Sequence, residues 1–183
     1  MSMIEADIVR NIQQAMLSTY ETQQLAVFLA RWAIYLNAIP AAILMVSHRK
    51  KESHGVIEAA WAAGLALLLT TAIAVFVGRL RPYMTLPDVW LLIPPPLNLS
   101  FPSGHTATAV AMACAFFAAR RDLGYVSFLI AALVAFGRIA AGAHYPTDIL
   151  GGILVGCLSF CLVKIIHLQL DRQDLKRSSG RKL

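Results

Sequence analysis

Charge is scarce in this chain. Of its 183 residues only 14% are charged while 58% are hydrophobic, and the mean hydropathy is +0.64, a balance that excludes an ordinary soluble domain. Cysteine is rare as well. Cys114, Cys157 and Cys161 all fall inside long apolar runs, so they imply no disulfide framework and act as small apolar residues. Cys157 and Cys161 lie one helical turn apart but have no histidine or carboxylate near them in sequence, so no metal site is expected. The opening MSMIEADIVRNIQQ has neither a basic leader nor an uninterrupted apolar core, and it does not read as a secretory signal. No linker long enough to separate two domains and no internal repeat is evident. Without an aromatic-rich basic surface, nucleic acid is not expected as a partner.

What the chain has instead is apolar length. Runs of about 20 apolar residues can cross the hydrocarbon layer as helices, and five are found, at about 24–46, 56–78, 104–120, 123–142 and 147–169. The expected fold is all-α, a polytopic membrane helix bundle of about five transmembrane helices forming one membrane-embedded domain over residues 1–183. The third run is short for a span, and the first contains Arg31 and Pro40. Ahead of the first run, Ile4, Ile8, Ile12 and Met16 repeat at helical spacing among polar residues. This predicts an amphipathic helix within residues 1–20 that either lies along the membrane interface or packs on its neighbours. In the fifth run, Gly152 and Gly156 form a pair of small residues that permits close helix contact.

The distribution of lysine and arginine matters more than the net charge of +6. SHRKKESH carries Arg49, Lys50 and Lys51, AARRDLG carries Arg120 and Arg121, and the tail over residues 170–183 carries Arg172, Lys176, Arg177, Arg181 and Lys182. With five spans these segments share one side, expected to be cytoplasmic. The protein is then a multi-pass component of the cell (inner) membrane, with its C-terminus inside and the other helix ends on the periplasmic or extracellular face. The basic tail reads as a topology signal.

The few remaining polar residues gather at those outer ends. The second run closes on GRLRP with Arg79, Arg81 and Pro82; the third opens on PSGH with Ser103, Gly104 and His105; the fourth closes near Arg138, followed by His144 and Asp148. Each residue type suits the holding of a phosphate. A helix starting near Pro102 leaves its first amide hydrogens unpaired, which with the helix dipole makes an anion site, and Ser103 adds a hydroxyl donor. Gly104 lets the backbone approach closely. Arg81 and Arg138 each present a planar fork of donors that stays charged when partly dehydrated. Placing Arg138 inside a span costs about 2–3 kcal/mol unless it meets an anion or water. A histidine near neutral pKa can attack phosphorus or protonate a leaving oxygen. His144 and Asp148 are four apart around Pro146, so the carboxylate can accept a hydrogen bond from one ring nitrogen and leave the other free.

GRLRP, PSGH and GRIAAGAHYPTD, in this order and spacing, resemble the three signature motifs of the type-2 phosphatidic acid phosphatase superfamily of integral-membrane lipid phosphatases. The resemblance implies that His144 attacks phosphorus to form a phosphohistidine, Asp148 orients it, and His105 protonates the leaving group. It further implies that Arg81, Ser103, Gly104 and Arg138 bind the phosphate, with Pro102 opening that loop, and that neither metal nor other cofactor takes part. Two positions depart from the pattern. The lysine usually found seven residues before Arg81 is Ala74, with Arg79 the candidate substitute, and the opening serine of the third motif is Gly137.

The partners implied are the lipid bilayer and a membrane lipid phosphate. The surface-lying first helix, the single basic residue in the first span and the weakened first motif resemble the undecaprenyl diphosphate phosphatases, so the leading expectation is hydrolysis of undecaprenyl diphosphate to undecaprenyl phosphate and phosphate. Phosphatidic acid, phosphatidylglycerol phosphate or lipid A are the alternative substrates, with water or another lipid as acceptor. A non-catalytic anionic-lipid binder or a small transporter is the alternative of another class. Arg31 is a candidate for the second phosphate of a diphosphate, or else snorkels to the interface. The segment YMTLPDVWLLIPPPLNLSF, with Trp90 and Pro94 to Pro96, is expected to wall the pocket.

Overall fold

A computed structural model describes residues 3–47, 49–96 and 99–180. The described residues form α1 (Met3–Met16), α2 (Tyr20–Arg31), a 3₁₀ turn (Ala33–Asn37), α3 (Ala38–Val46), α4 (Lys50–Val77), α5 (Pro82–Thr85), α6 (Gly104–Ala119), α7 (Arg121–Ala140) and α8 (Pro146–Gly180), and no strand. Three stretches are long and apolar enough to cross a membrane: Glu52–Thr85, Arg121–Ala140 and Pro146–Leu170. The helix α6 is apolar but has only 16 residues. Of the basic tail, Arg181 and Lys182 lie outside the described residues.

The first span differs from the single helix expected at 24–46. It is two helices, α2 and α3, bent by 56° around the 3₁₀ turn. Pro40 supplies the reason. It has no amide hydrogen to give the carbonyl of Leu36, and its ring crowds that carbonyl, so a continuous α-helix through the turn is disfavoured. Residues of the turn and of α3 line the site's cavity together with residues of α4.

The helix α6 stands at the centre, packed by α4, α7 and α8. Ala107, Ala109, Ala111, Ala113 and Ala115 are all wholly buried, although they point to different faces of the helix. Alanine on every face lets three neighbours approach at once, and in lipid such packing, not the hydrophobic effect, holds helices together. On α8 the small pair faces this helix: a Cβ on Gly152 would lie 2.7 Å from the carbonyl oxygen of Ser103, and one on Gly156 would lie 2.5 Å from that of Ala107. Both are closer than real contacts allow, so Gly152 sets how near α8 stands to the start of α6.

The amphipathic helix forms as α1, and it packs. Its buried face is Ala6, Val9 and Gln13, while Ile4 and Ile8 stay exposed. Ala6 and Val9 join Leu86, Val89 and Tyr145 in one apolar cluster. Gln13 donates to the Trp90 carbonyl at 2.6 Å and accepts from the Trp90 amide at 2.8 Å, and Arg10 donates to Asp88 at 2.7 Å. The helix thus clamps the 86–93 segment over the ends of α7 and α8.

Replacing Gly152 by leucine should lower stability by about 1–3 kcal/mol through overpacking, read as a lower thermal unfolding midpoint in detergent. Gly64→Ala should be tolerated, because a Cβ there meets nothing within 4 Å; equal losses in the two variants would contradict this packing.

Candidate active site

At one end of the bundle, opposite the basic turns at 49–51 and 120–121, the chain ends of α4, α6, α7 and α8 meet. The turn after α7 fixes two of the polar residues together, because the amides of Ala143 and His144 both donate to the carbonyl of Arg138, at 3.1 and 3.3 Å. Arg81 precedes α5, whose first residue is Pro82. The amide of Ser103 donates to the carbonyl of Asp148 at 2.9 Å, which ties the start of α6 to the start of α8. Ser103 makes no side-chain cap to α6, and its oxygen instead accepts from Thr106 at 3.0 Å, leaving its own proton to donate.

His144 is 2% exposed. Its Nε2 faces Arg81 Nη1 at 3.0 Å and Arg138 Nη2 at 3.5 Å. Since guanidinium groups only donate, that nitrogen carries a lone pair and the ring proton belongs on Nδ1. Nδ1 faces Asp148 Oδ2 at 3.5 Å, the long end of the ion-pair range, and has no closer partner. In this loop between α7 and α8, burial is the main cause that lowers the imidazole pKa to about 3; the neighbouring charges of Arg138 and Arg81 add to it, and Asp148 opposes it. The ring is therefore neutral near pH 7, with a lone pair aimed at two positive charges.

Those charges are buried too. Arg81 is 2% exposed and Arg138 3% exposed. Arg81 donates to the carbonyls of Ala143 at 2.8 Å and Leu99 at 3.1 Å. Arg138 donates to the Ala30 carbonyl at 3.3 Å, its Nε has no hydrogen-bond partner, and no carboxylate pairs with it among the described residues. The contact with Ala30 explains Gly137. A Cβ at that position would lie 2.5 Å from the backbone nitrogen of Ala30, so only glycine lets α2 come close enough to steady Arg138.

Asp148 is wholly buried and fully engaged. Oδ2 accepts from Ser100 at 2.5 Å and from the Tyr145 amide at 2.8 Å, and Oδ1 accepts from Arg79 at 2.7 Å. Arg79, expected among the phosphate contacts, turns in this structure to Asp148 and away from the cavity. It lies behind Asp148, bound also to Thr147 and Glu5 and stacked on the Tyr145 ring at 4.2 Å. Pro102 is buried against α8 near Gly151 and does not line the cavity. Arg31 is exposed, stacks on Trp32 at 5.0 Å and is not among the residues lining the cavity, as the snorkelling reading expects.

The cavity has a volume of about 590 Å³. Arg81, Gly104, His105, Arg138 and His144 line its polar end, and Ala41, Val56, Ala59, Leu67, Met112 and Phe116 line its apolar depth between the bent first span, α4 and α6. His105 is exposed on its side of the opening. The arrangement brings two imidazoles, two guanidiniums and an uncapped helix start to one concavity, the equipment to hold an oxyanion and attack its central atom. Among the described residues no group of three or more His, Cys, Asp or Glu side chains converges as metal ligands.

The PAP2 superfamily profile matches residues 55–172. The chain belongs to the PAP2 superfamily. It is 32% identical over 133 residues to "Undecaprenyl-diphosphatase BcrC" of Bacillus subtilis, covering 72% of this chain and 68% of the relative. It is 31% identical over 136 residues to "Bacitracin transport permease protein BcrC" of Bacillus licheniformis, covering 74% and 67%. The crystal structure of Aquifex aeolicus LpxE superposes with a TM-score of 0.69 at 28% identity, covering 88% of this chain and 95% of that one. As a PAP2 protein with relatives of this kind, the chain is a lipid phosphatase.

Sequence reasoning missed Ser100, Glu5, Thr147 and Asn37. Ser100 lies three residues before Ser103 in an apolar context with no motif to mark it, and Glu5 looks like one more charge on an amphipathic face. Asn37, buried at 3% with its carbonyl oxygen unpartnered on the cavity wall, was hidden inside an apolar run.

Nitrogen NMR of the histidine-labelled protein, with His144 assigned by loss of its signal in His144→Asn, should find the ring neutral and protonated on Nδ1 down to about pH 5. A titration midpoint near the ordinary 6.5 would contradict the burial argument.

Proposed function

We propose that this PAP2 phosphatase removes a phosphate from a membrane lipid phosphate through a phosphohistidine at His144, without a metal, and that its substrate is undecaprenyl diphosphate. The observation that carries the reading is Arg138: a buried guanidinium with no carboxylate among its described partners, beside Arg81 and a neutral imidazole, has its charge best balanced by a phosphate.

The terminal phosphate sits between Arg81, Arg138, the Ser103 hydroxyl and the amides that begin α6. The lone pair of His144 Nε2 forms a bond to phosphorus. The bond from the terminal phosphorus to the oxygen bridging the two phosphates breaks with its electron pair going to that oxygen, which takes a proton from His105 and leaves as part of the lipid monophosphate. The positive charge that develops on the His144 ring is offset by Asp148 across Nδ1–H. Water then attacks the phosphohistidine, now-neutral His105 takes its proton, and the phosphorus–nitrogen pair returns to Nε2 as phosphate leaves. Donors already fixed around the phosphate stabilise the transition-state charge without reorganising.

The substrate class follows from the cavity. Its polar end holds a phosphate while its apolar end opens between helices that face lipid, so the tail never leaves the bilayer. The name of the B. subtilis relative supports undecaprenyl diphosphate within that class. With the basic segments inside the cell by the positive-inside rule, the site opens on the outer face of the cell membrane and the C-terminus is cytoplasmic.

Phosphate release from a panel of lipid phosphates in detergent with EDTA present tests this reading. Undecaprenyl diphosphate should be turned over fastest, against phosphatidic acid, phosphatidylglycerol phosphate and lipid A. Vanadate should inhibit, His144→Ala should abolish release, and His105→Ala should slow it by about 10²–10⁴-fold. Release that persists in His144→Ala sinks the phosphohistidine; no release from any lipid favours the binding or transport alternative, in keeping with the permease name of one relative.

A separate measurement concerns the phosphate forks. Arg138→Lys keeps the charge but loses the planar fork, and it should raise KM for the lipid by about tenfold, 1.4 kcal/mol, with folding intact.

A further inference from the structure

Outside the cavity, a second group of charged side chains lies on the far side of Asp148. Arg79 Nη1 donates to Asp148 Oδ1 at 2.7 Å and to the Thr147 hydroxyl at 2.6 Å, and Nη2 donates to Glu5 Oε2 at 3.1 Å. The guanidinium lies over the ring of Tyr145, the residue next to His144. The other oxygen of Glu5 accepts from the amide of Thr147 at 3.3 Å and from its hydroxyl. Glu5 belongs to α1, which is itself pinned by Gln13 and Arg10 to the 86–93 segment.

We propose that Arg79, held in place by Glu5 of α1, is a positioning residue for the Asp148–His144 pair, so that the N-terminal helix is a working part of the site. This rests on the reading of His144 as the nucleophile.

The physical argument begins with the Asp148 carboxylate. It is wholly buried, and a buried carboxylate needs its oxygens satisfied and its charge offset. Ser100 and the Tyr145 amide hold Oδ2, the oxygen facing His144, and Arg79 donates to Oδ1. Arg79 therefore fixes the rotation of the carboxyl plane, and with it where Oδ2 stands relative to Nδ1. The Thr147 hydroxyl and the Tyr145 ring already hold one arm and the face of the guanidinium, and Glu5 takes the second arm and offsets its charge, so that the fork keeps one orientation toward Asp148.

The alternative role, phosphate contact, makes a different kinetic forecast, and the two separate cleanly. In the full-length protein, Arg79→Gln should lower kcat by about 10- to 100-fold, the range for groups that orient the partners of a reacting centre, while KM and the inhibition constant of inorganic phosphate change by no more than about twofold. Arg79→Lys should restore part of kcat. Glu5→Gln should lower kcat several-fold alone and add nothing in the Arg79→Gln background, because the two act as one unit. Rapid-quench measurement of acid-labile phosphoenzyme should show the loss in its rate of formation. If Arg79→Gln fails to fold, judged by thermal unfolding, Glu5→Gln carries the test alone. A rise in KM and in the phosphate inhibition constant with kcat intact would make Arg79 a phosphate contact and overturn the proposal. So would wild-type kcat in Glu5→Gln together with an additive double variant. His144→Ala separates the two levels: if it retains turnover, the nucleophile reading fails, whereas if it is inactive while the Arg79 and Glu5 variants match wild type, only the positioning role fails.

Discussion

Two guanidiniums buried around one neutral imidazole are the constraint that the rest of the structure serves. Arg81 and Arg138 both approach Nε2 of His144, and neither is open to solvent. Like charges brought together out of water repel strongly, so each must be held by fixed dipoles. The carbonyls of Ala143, Leu99 and Ala30 do this, and they come from three separate stretches of chain. An assembly that crowds positive charge in this way is a preformed receptor for an anion, and burial, with the same charges adding to it, keeps the imidazole unprotonated.

Small side chains make that convergence possible. The alanine-rich α6 admits neighbours on all sides, Gly152 brings α8 against the loop that begins α6, and Gly137 brings α2 against Arg138. Gly137 replaces the serine of the resembling motif, and the backbone of α2 occupies the space that a side chain would take. Ala74, at the usual lysine position, is a buried residue of α4. Arg79, the candidate substitute for that lysine, donates to Asp148, Thr147 and Glu5 and does not line the cavity. The positive charge at the cavity's polar end is thus carried by Arg81 and Arg138.

The bent first span joins the chemistry to the membrane. Beside the break at Trp32 to Asn37 lies an apolar cavity that reaches from the two histidines toward Phe116. The same constraint at Pro40 that spoils the helix therefore shapes the apolar depth of the cavity.

By itself the sequence determined the class of fold and marked polar residues that the structure brings to one end of the bundle. Apolar runs of spanning length leave a chain no stable form but helices in lipid, and motifs at helix ends are brought to one end of the bundle by alternating direction alone. Local pattern could not decide where long side chains point. Arg79 and Arg81 differ by two residues, yet one lines the cavity and the other backs Asp148, because the turn before Pro82 sends them to opposite sides. Whether Ile4 and Ile8 or Ala6 and Val9 would form the packed face of α1 depended on partners more than 70 residues away, and so did the meeting of Glu5 with Thr147 and Arg79. Those choices were made by tertiary packing, since only the assembled bundle creates the buried carboxylate that a second charged residue must satisfy.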